Sequence, residues 1–259
     1  MKKFNDTYRD LGYLVYRVAT PFVDGVKLAH SIPGYIKYLS DLGKYERLAD
    51  AEPVSLSDLY PCVFDSILSH PFDSHYLYQD TWALKKLLDS NRGWHVDVGS
   101  RLDFVAFVSI FLRVEFVDIR KLNLSLDGLG IIQGNILHLP FADNSINSLS
   151  CLHVAEHIGL GRYGDPLDSY GTKKACIELA RVLAPGSHLY FSLPVGKPRL
   201  CFNAHRIHSP GQILDYFRNL DLVEFSLITD EGTLIRDAEF RRANQSDYAC
   251  GLFDFCKGQ

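Results

Sequence analysis

The chain has 259 residues, a formal net charge of -4, 47% hydrophobic residues and 22% charged residues. These proportions exclude a disordered chain, because enough apolar side chains are present to build a core. No run of Lys or Arg supplies the concentrated positive face that phosphate binding needs, which argues against nucleic acid as the main partner. The length suits either one large α/β domain or one domain with an N-terminal extension. The charge fits a small-molecule or glycan partner better than nucleic acid.

Six cysteines are scattered through the sequence without a Cys-x-x-Cys pair, so we expect reduced thiols, most of them in the core. Met1, Lys2 and Lys3 lead into no apolar segment, and we expect no signal peptide. Because no stretch of 18 or more apolar residues is present, we expect no membrane span and a cytoplasmic protein. The sequence does not determine the oligomeric state, a homodimer being one option.

Residues 1–90 differ from the rest because they are rich in tyrosine, lack strand alternation and are interrupted by five prolines. This pattern predicts short helices between the prolines, for example over residues 34–48 and 77–88. We therefore predict two domains, a helical extension at residues 1–90 and an α/β domain at residues 91–259. The extension either caps a ligand site or covers one face of the sheet.

The predicted helix at 77–88 comes directly before the first predicted strand. It must therefore pass over the C-terminal edge of that strand, where open α/β sheets bind ligands. Tyr78 and Trp82 share one face of the helix, and Gln79 is the neighbour of Tyr78. Tyr78 and Gln79 are candidates for the wall of a ligand site, although a core-facing aromatic stripe has the same spacing.

The stretch from Trp94 to Asp118 carries the most informative pattern. An apolar strand ends in Asp97-Val98-Gly99-Ser100, which predicts a tight turn, because glycine tolerates positive φ and lets a ligand approach the backbone. A helix follows over residues 104–112, and a second strand ends at Asp118, 21 residues after Asp97. Strand, glycine turn, helix, strand and acid form the order of a nucleoside-binding unit, in which the acid accepts the ribose hydroxyls.

The remaining elements complete one sheet. We predict strands at residues 131–133, 146–152, 188–193, 222–228 and 248–256, and helices at 172–183 and 210–219. Segment 229–247 is too irregular for a crossover helix, so we expect the last strand to run antiparallel. The predicted fold is an α/β, Rossmann-like, seven-stranded, mostly parallel sheet with helices on both faces.

From about Trp94 onward the sequence resembles the class I S-adenosylmethionine-dependent methyltransferases of the small-molecule type. The resemblance rests on the order and spacing of four motifs: DVGSR at 97–101, GNILHLPFADNS at 134–145, CLHVAEH at 151–157 and ELARVLAPGS at 178–187. More narrowly, YLYQDTW at 76–82 followed by DVGSR is similar to an uncharacterised methyltransferase-like family associated with bacterial surface-glycan gene clusters.

That resemblance implies S-adenosylmethionine as the cofactor. The cofactor-binding residues that it implies are Asp97, Gly99, Ser100, Asp118, Asn135, Ile136, His153, Tyr78 and Gln79. Among them, Gly99 would face the methionine part, Asp118 the ribose, and Asn135 with the next backbone amide the adenine. Asparagine has the acceptor oxygen that the adenine contact needs, but it equally suits a turn.

The glycine turn departs from the family pattern, because Arg101 and Asp103 stand where the family repeats glycine. Asp103 could cap the following helix. Arg101 must either point away from the cofactor or replace a contact that glycine leaves to backbone. A turn that no longer binds the cofactor is the alternative.

His153 follows the fourth predicted strand, and His157 lies four residues later on the same face of a helical turn. Three interpretations compete. His153 could be the general base that takes a proton from a hydroxyl nucleophile. The two histidines could bind a metal with Asp165, although we predict no metal because the motif is unspecific. His157 could instead order the loop.

Two polar segments supply further candidates. The glycine-rich loop at 159–171 carries Arg162, Tyr163 and Asp165, which are candidates for substrate contact unless the loop only connects two elements. His205, Arg206 and His208 follow the fifth strand; His205 is the second candidate base, and Arg206 is suited to an anionic group of the acceptor. His208 belongs to the same substrate-binding set, and a surface loop that caps the next helix is the alternative.

These observations predict an S-adenosylmethionine-dependent methyltransferase that modifies oxygen on a small-molecule or glycan acceptor. A non-catalytic nucleotide- or sugar-binding protein would explain the altered glycine turn. A nicotinamide-dependent oxidoreductase would also place an acid on the ribose, but its turn requires glycines where Arg101 and Asp103 stand.

Overall fold

The computed structural model describes residues 12–20, 23–90 and 92–259. The chain forms two compact units, residues 1–71 and residues 72–259. The helix that the sequence predicts at 77–88 lies inside the second unit, and the domain boundary near residue 90 stays a prediction. Whether the N-terminal residues cap a ligand site stays a prediction. In the described part of the chain, no helix is long and apolar enough to cross a membrane.

The described part of the first unit includes a long helix, α1, Gly25–Tyr45, and a short 3₁₀ turn, Leu56–Asp58. Asp24 begins α1 by accepting hydrogen bonds from the backbone N–H groups of Val26 and Lys27. The expected break at Pro33 is wrong, because Pro33 lies inside α1. A proline interrupts the ladder by one hydrogen bond, and the helix continues on both sides.

Within its described residues, the second unit contains five α-helices and ten strands. The helices are α2 Ser74–Asp89, α3 Leu102–Val108, α4 Gly171–Val182, α5 Pro210–Tyr216 and α6 Phe240–Gln245. The strands are β1 Trp94–Val98, β2 Arg113–Asp118, β3 Leu129–Gln133, β4 Ile146–Leu152, β5 Leu183–Val195, β6 Arg199–Cys201, β7 His205–Ile207, β8 Asp221–Ile228, β9 Leu234–Ile235 and β10 Ala249–Cys256.

The main sheet has the order β3-β2-β1-β4-β5-β10-β8-β9. Strands β1 to β5 pair in parallel, and β10 is antiparallel to both of its neighbours, β5 and β8. The prediction of a mostly parallel Rossmann-like sheet with an antiparallel last strand is confirmed. The two-residue strand β9 adds an eighth strand to the seven that the sequence predicts.

Two apolar layers cover the sheet. One face packs against α2 and α3 through side chains such as Trp82, Leu87 and Phe104. The other packs against α4, α5 and α6 through side chains such as Leu179 and Ile213. Both faces are buried because parallel strands need helical crossovers, which explains why the strands read as nearly continuous apolar runs.

The order of the strands reverses between β1 and β4, since β1 leads outward to β2 and β3 while β4 leads to β5. Open α/β sheets bind ligands outside the carboxyl ends of the strands at such a reversal. The fold therefore directs attention to the residues that follow Val98 and Leu152.

Candidate functional site

Two adjoining cavities open at the carboxyl ends of β1, β2 and β4. The first cavity has a volume of about 310 Å³ and the second about 700 Å³, both in the range of ligand sites. They share six lining residues: Gly99, Asp118, Arg120, His153, His157 and Tyr163. These six residues, Gly99 and His153 among them, therefore form the junction between the two cavities.

The turn after β1 is held by its own side chains. Asp97 is fully buried and accepts hydrogen bonds from the Ser100 N–H at 3.0 Å, from the Ser100 hydroxyl at 2.7 Å and from the Ser150 hydroxyl. Burial raises the pKa of Asp97 to about 7, although these hydrogen bonds lower it. Asp97 lies outside both cavity linings, so its contacts support the turn, and Ser100 lines the second cavity.

Gly99 has φ of +72°, and a Cβ atom built there would lie 2.9 Å from Cγ1 of Val154. A side chain at this position would be strained and would collide with the segment after β4. The structure thus gives Gly99 the conformation that the sequence predicts for the turn.

Arg101 turns away from the first cavity. Its guanidinium pairs with the Asp103 carboxylate and lies 4.7 Å from the centre of the Tyr76 ring, on the wall of the second cavity. Arg101, rather than Asp103, occupies the cap position of α3, and Asp103 accepts the Phe104 N–H from within the first turn. The arginine therefore leaves the first cavity open.

Asp118 ends β2 and lines both cavities, but its carboxylate is engaged. Oδ1 accepts the Arg120 backbone N–H at 2.7 Å and Nε at 3.0 Å, and Oδ2 accepts Nη2 at 2.8 Å. A carboxylate offers about four lone-pair positions, so one remains. Two ribose hydroxyls can bind Asp118 only if the Arg120 side chain withdraws.

Asn135 and Ile136 line the first cavity, and their contact with adenine stays a prediction. The Asn135 side-chain oxygen accepts the Leu137 N–H at 2.9 Å, so Asn135 also has the turn role that was the alternative. An amide oxygen has a second lone pair, and the turn contact therefore does not exclude a ligand contact.

His153 lies at the centre of the site and lines both cavities. Its backbone has φ of +56°, and its Nδ1 lies 2.6 Å from Oε1 of Gln79. A carbonyl oxygen only accepts, so Nδ1 carries the proton and Nε2 has the lone pair. Nε2 is buried and has no hydrogen-bond partner among the described residues. Burial, with smaller contributions from nearby histidines, lowers the pKa of His153 to about 3.

The α2 residues that line a cavity are not the ones that the sequence predicts. Gln79 is fully buried and holds His153 and the Ser192 hydroxyl through its side-chain oxygen, outside both cavity linings. Tyr78 contacts the Phe72 ring edge to face at 6.3 Å and also lies outside those linings. Tyr76, on the same helix, lines the second cavity.

Glu156 is the functional candidate that sequence reasoning missed. The side chain is fully buried, lines the second cavity, and has no hydrogen-bond partner for either carboxyl oxygen within the described residues. His157 Nε2 lies 3.6 Å from Oε1, beyond hydrogen-bond distance. Burial raises the pKa of Glu156 to about 8, while Arg162 lowers it. The Glu-His pair in the CLHVAEH motif was the available signal.

His157 and the loop that follows close the two cavities on one side. His157 Nδ1 donates to the Ala204 carbonyl at 2.6 Å, and Arg162 donates to the same carbonyl at 3.1 Å. Tyr163 lies between two guanidinium groups, at 5.1 Å from Arg120 and 5.2 Å from Arg162. Arg162 and Tyr163 thus lie on the cavity walls, and their contact with a substrate stays a prediction.

The alternative metal set of His153, His157 and Asp165 is not brought together. Asp165 accepts the backbone N–H groups of Gly159 at 2.6 Å and Tyr163 at 3.3 Å, so its carboxylate orders the loop. His157 is held by the Ala204 carbonyl. This pattern supports the loop-ordering interpretation of His157.

Around β7, one predicted site residue lines a cavity and two do not. His205 lines the second cavity, with its ring 5.0 Å from that of Tyr248. Arg206 donates to the Ile158 carbonyl at 2.5 Å and to the Asp168 carbonyl at 2.8 Å, so its guanidinium anchors the loop. His208 is buried, and both residues lie outside the linings of the two cavities. The structure therefore does not bring Arg206 and His208 to the predicted substrate site.

Comparison with solved structures shows which folds the chain is similar to. The N-methyltransferase NodS from Bradyrhizobium japonicum, solved with S-adenosyl-L-homocysteine, matches with a TM-score of 0.52 and 14% identity over 85% of this chain and 98% of that chain. YcgJ from Bacillus subtilis matches with a TM-score of 0.51 and 16% identity over 71% and 99%. The [4+2]-cyclase SpnF matches with a TM-score of 0.51 and 12% identity over 70% and 81%. The chain has a methyltransferase-like Rossmann fold.

The sequence comparisons are less specific than the structural ones. A family model described as "Caenorhabditis protein of unknown function, DUF268" matches residues 141–247, which is less than half of the chain. That segment runs from just before β4 to just before β10 and includes the CLHVAEH motif. The comparison with curated proteins gives no match.

Proposed function

We propose that the chain is an S-adenosylmethionine-dependent methyltransferase that acts on the oxygen of a small-molecule or glycan acceptor. The observation that carries the proposal is the meeting of two cavities at Gly99 and His153, at the reversal of the strand order. NodS, which has the same fold, was solved with the product form of that cofactor. The glycan assignment rests on the resemblance of the sequence alone.

The first cavity suits the nucleoside. Apolar side chains such as Val117, Ile136 and Leu137 line it and would cover the adenine faces, while Asn135 would contact the adenine edge. Asp118 would take the ribose hydroxyls after Arg120 withdraws. These contacts would direct the remainder of the cofactor past Gly99 toward the second cavity.

The second cavity suits the methionine part and the acceptor. Arg101 lies where the family has glycine and would hold a carboxylate, which replaces a contact otherwise left to backbone. In the reaction the acceptor oxygen forms a bond to the methyl carbon, the sulfur–methyl bond breaks, and the acceptor proton moves to a base. The cofactor supplies the electrophile, so this chain needs to hold both reactants in line and accept the proton.

Three side chains on the walls can accept that proton. His153 and His205 are the candidates from the sequence, and the structure adds Glu156. The carboxyl oxygens of Glu156 have free acceptor positions, and burial raises the pKa of Glu156 to about 8. A general base works best when its pKa lies near the pH at which the enzyme acts. His153 offers the lone pair of Nε2.

The first test of the proposal is binding of the cofactor product, and an assay of methyl transfer follows. Isothermal titration calorimetry with S-adenosylhomocysteine should give one site per chain, and the thermal unfolding temperature should rise with S-adenosylhomocysteine but not with NAD. Asp118→Ala should weaken S-adenosylhomocysteine binding by tens of fold, because hydrogen bonds to a charged group contribute about 1.5–3 kcal/mol. Glu115→Ala, three residues earlier on β2 and outside both cavity linings, is the matched control.

Other outcomes point to the alternatives. SpnF shows that this fold also occurs in a cyclase, so binding alone does not establish methyl transfer. Transfer of labelled methyl from S-adenosylmethionine to a panel of nucleoside-diphosphate sugars tests the acceptor class. No heat with millimolar S-adenosylhomocysteine would favour a non-catalytic nucleotide- or sugar-binding protein. Stabilisation by NAD would favour an oxidoreductase.

A further inference from the structure

His75, His153 and Cys250 come from three separate elements and meet at one point. His75 lies in the first turn of α2, His153 follows β4, and Cys250 lies on β10. One ligating atom from each residue lies within 4.8 Å of the other two. We propose that these three side chains bind a transition-metal ion, with zinc(II) as the first choice.

The ligand types select the class of metal. Two imidazoles and one thiol are soft or borderline donors, which suit zinc, copper or iron rather than magnesium or calcium. With Zn–N near 2.0 Å and Zn–S near 2.3 Å, the edges of a tetrahedral site are on the order of 3.5 Å. The Cys250 sulfur lies 3.9 Å from Nδ1 of His153, on the same ring as the candidate ligand atom Nε2. The three ligating atoms lie within 4.8 Å of one another, and the widest separation must contract by about 1 Å, which side-chain rotation can supply.

His153 carries an independent sign of a missing partner. Its Nε2 is buried without a hydrogen-bond partner among the residues that the structure describes, whereas buried polar atoms are normally paired. Its other nitrogen, Nδ1, donates to the Gln79 side-chain oxygen. Metal-bound histidines characteristically donate their second N–H to such an acceptor, which fixes the tautomer and the ring orientation. Gln79 is thus placed as a support for His153 as a ligand.

The surroundings favour a cation. A third cavity of about 450 Å³ is lined by Asp73, His75, His153, Asp230, Asp247 and Tyr248. Asp73 and Asp230 line the same cavity as His75, and their charge acts against the burial that lowers the His75 pKa. This cavity gives an ion access to His75 and His153, whereas the fully buried Cys250 lies outside its lining, and it leaves a coordination position open toward solvent or substrate.

Cys250 is fully buried, and burial keeps its thiol protonated in the metal-free protein by raising its pKa. Metal binding breaks the S–H bond, forms a sulfur–metal bond and releases the proton to solvent, with no change of oxidation state. The positive ion then compensates a thiolate that the apolar surroundings would otherwise disfavour.

The site has a consequence for the proposed function, although metal binding itself does not depend on it. His153 lines all three cavities, so a metal on His153 would lie at the junction of the nucleoside and acceptor spaces. If the metal takes the lone pair of Nε2, that atom cannot accept a proton. His205 and Glu156 would then remain for proton transfer.

The test is metal titration of the full chain, freed of metal by a chelator and of any affinity tag. Zinc should bind at one equivalent per chain with Kd at or below about 1 µM. Cobalt(II) in place of zinc should give the sulfur-to-cobalt charge-transfer band that reports a thiolate ligand. Cys250→Ser should abolish this band and weaken zinc binding by about 10–100-fold, and His75→Asn should weaken zinc binding to a similar extent.

Cys256→Ser is the matched control, because Cys256 ends the same strand and its thiol contacts the Lys257 carbonyl instead. This variant should keep both the stoichiometry and the cobalt band. If Cys250→Ser fails to fold, His75→Asn decides the matter, since His75 is partly exposed on a helix. The proposal is overturned if the wild type takes up less than about a tenth of an equivalent of zinc, or if His75→Asn binds zinc as tightly as the wild type. Neither result bears on binding of S-adenosylhomocysteine.

Discussion

The first and second cavities share a junction but differ in the chemistry of their walls. The first is lined by aliphatic side chains such as Val117 and Ile158, together with polar side chains that include Asp118, Asn135 and three histidines. The second shares part of that lining and adds Arg101, Arg162 and the buried Glu156. Under the proposed function, the first cavity would select its ligand mainly by shape and hydrogen bonds, and the second would add charged groups and a side chain that accepts a proton.

The largest expected effect comes from closing the junction between the two cavities. Gly99→Val would place a branched side chain at φ of +72° and against Val154, and backbone strain alone costs about 1–3 kcal/mol. We expect binding of S-adenosylhomocysteine to weaken on the order of 100-fold and the unfolding temperature to fall, as measured by calorimetry and thermal melting.

Gly93→Ala is the control for this substitution, because no atom lies within 4 Å of the added methyl group. It should leave the affinity unchanged within about twofold. Full affinity in Gly99→Val would show that the nucleoside does not pass this turn.

The second prediction concerns the buried Glu156 of the second cavity, whose protonation should make the stability of the fold depend on pH. Glu156 has a pKa of about 8 in the folded protein against an ordinary value of 4.5, so the folded state holds the proton more tightly than the unfolded chain. Its stabilising contribution is therefore complete below pH 4.5 and is lost as pH rises through 8. Glu156→Gln removes this dependence, and the variant should gain a few kcal/mol relative to the wild type between about pH 5 and 9. Urea unfolding at several pH values measures it.

Glu178→Gln should behave in the opposite way. The hydrogen bond from Arg181 lowers the pKa of Glu178, so that group stabilises the fold above its ordinary pKa and loses this contribution in acid. The Glu178→Gln variant should be less stable than the wild type at neutral pH, with the difference vanishing at low pH. A difference between Glu156→Gln and the wild type that stays constant from about pH 5 to 9 would contradict the assigned burial of Glu156.

The smallest expected effect concerns the Asp118–Arg120 pair at the boundary of the cavities. Arg120→Ala frees the Asp118 carboxylate for ribose, and the lost pair is largely exposed on the arginine side. We expect binding of S-adenosylhomocysteine to tighten about threefold in a calorimetric titration, since a surface ion pair contributes on the order of 0.2–1 kcal/mol.

Arg113→Ala removes an exposed arginine on β2 whose guanidinium lies 3.5 Å from Glu115, outside both cavity linings. This control should not change the affinity. Weaker binding in Arg120→Ala would instead show that Arg120 contacts the cofactor directly.

Much of the fold could be predicted from local pattern. The apolar runs and the turn at Gly99 fix strands β1, β2 and β4 within one or two residues, because burial on both faces requires nearly continuous apolar segments. The break that the sequence predicts at Pro33 does not occur, because the free-energy cost of one lost hydrogen bond is small beside the stabilisation of the rest of the 21-residue helix α1. The eighth strand, β9, is two residues long and has no sequence signal of its own.

For the site residues, too, the sequence predicts some positions and leaves others to the tertiary structure. Sequence order placed Gly99, Asp118, Asn135 and His153 at the ends of their strands, and the parallel sheet brings such ends to one edge. Sequence order could not show that the Arg206 guanidinium donates its hydrogen bonds to two loop carbonyls, because those acceptors lie 38 and 48 residues away along the chain.

The sequence by itself determined the order of elements and the conformation of the turn, because periodic burial and the freedom of glycine act over a few residues. Only the tertiary structure decided which polar side chains face open space. Glu156 without a partner among the described residues, Arg120 on Asp118, and Cys250 beside two histidines all depend on packing between segments. Burial and pairing are properties of the assembled sheet edge, and these set the charge and the reactivity of the site.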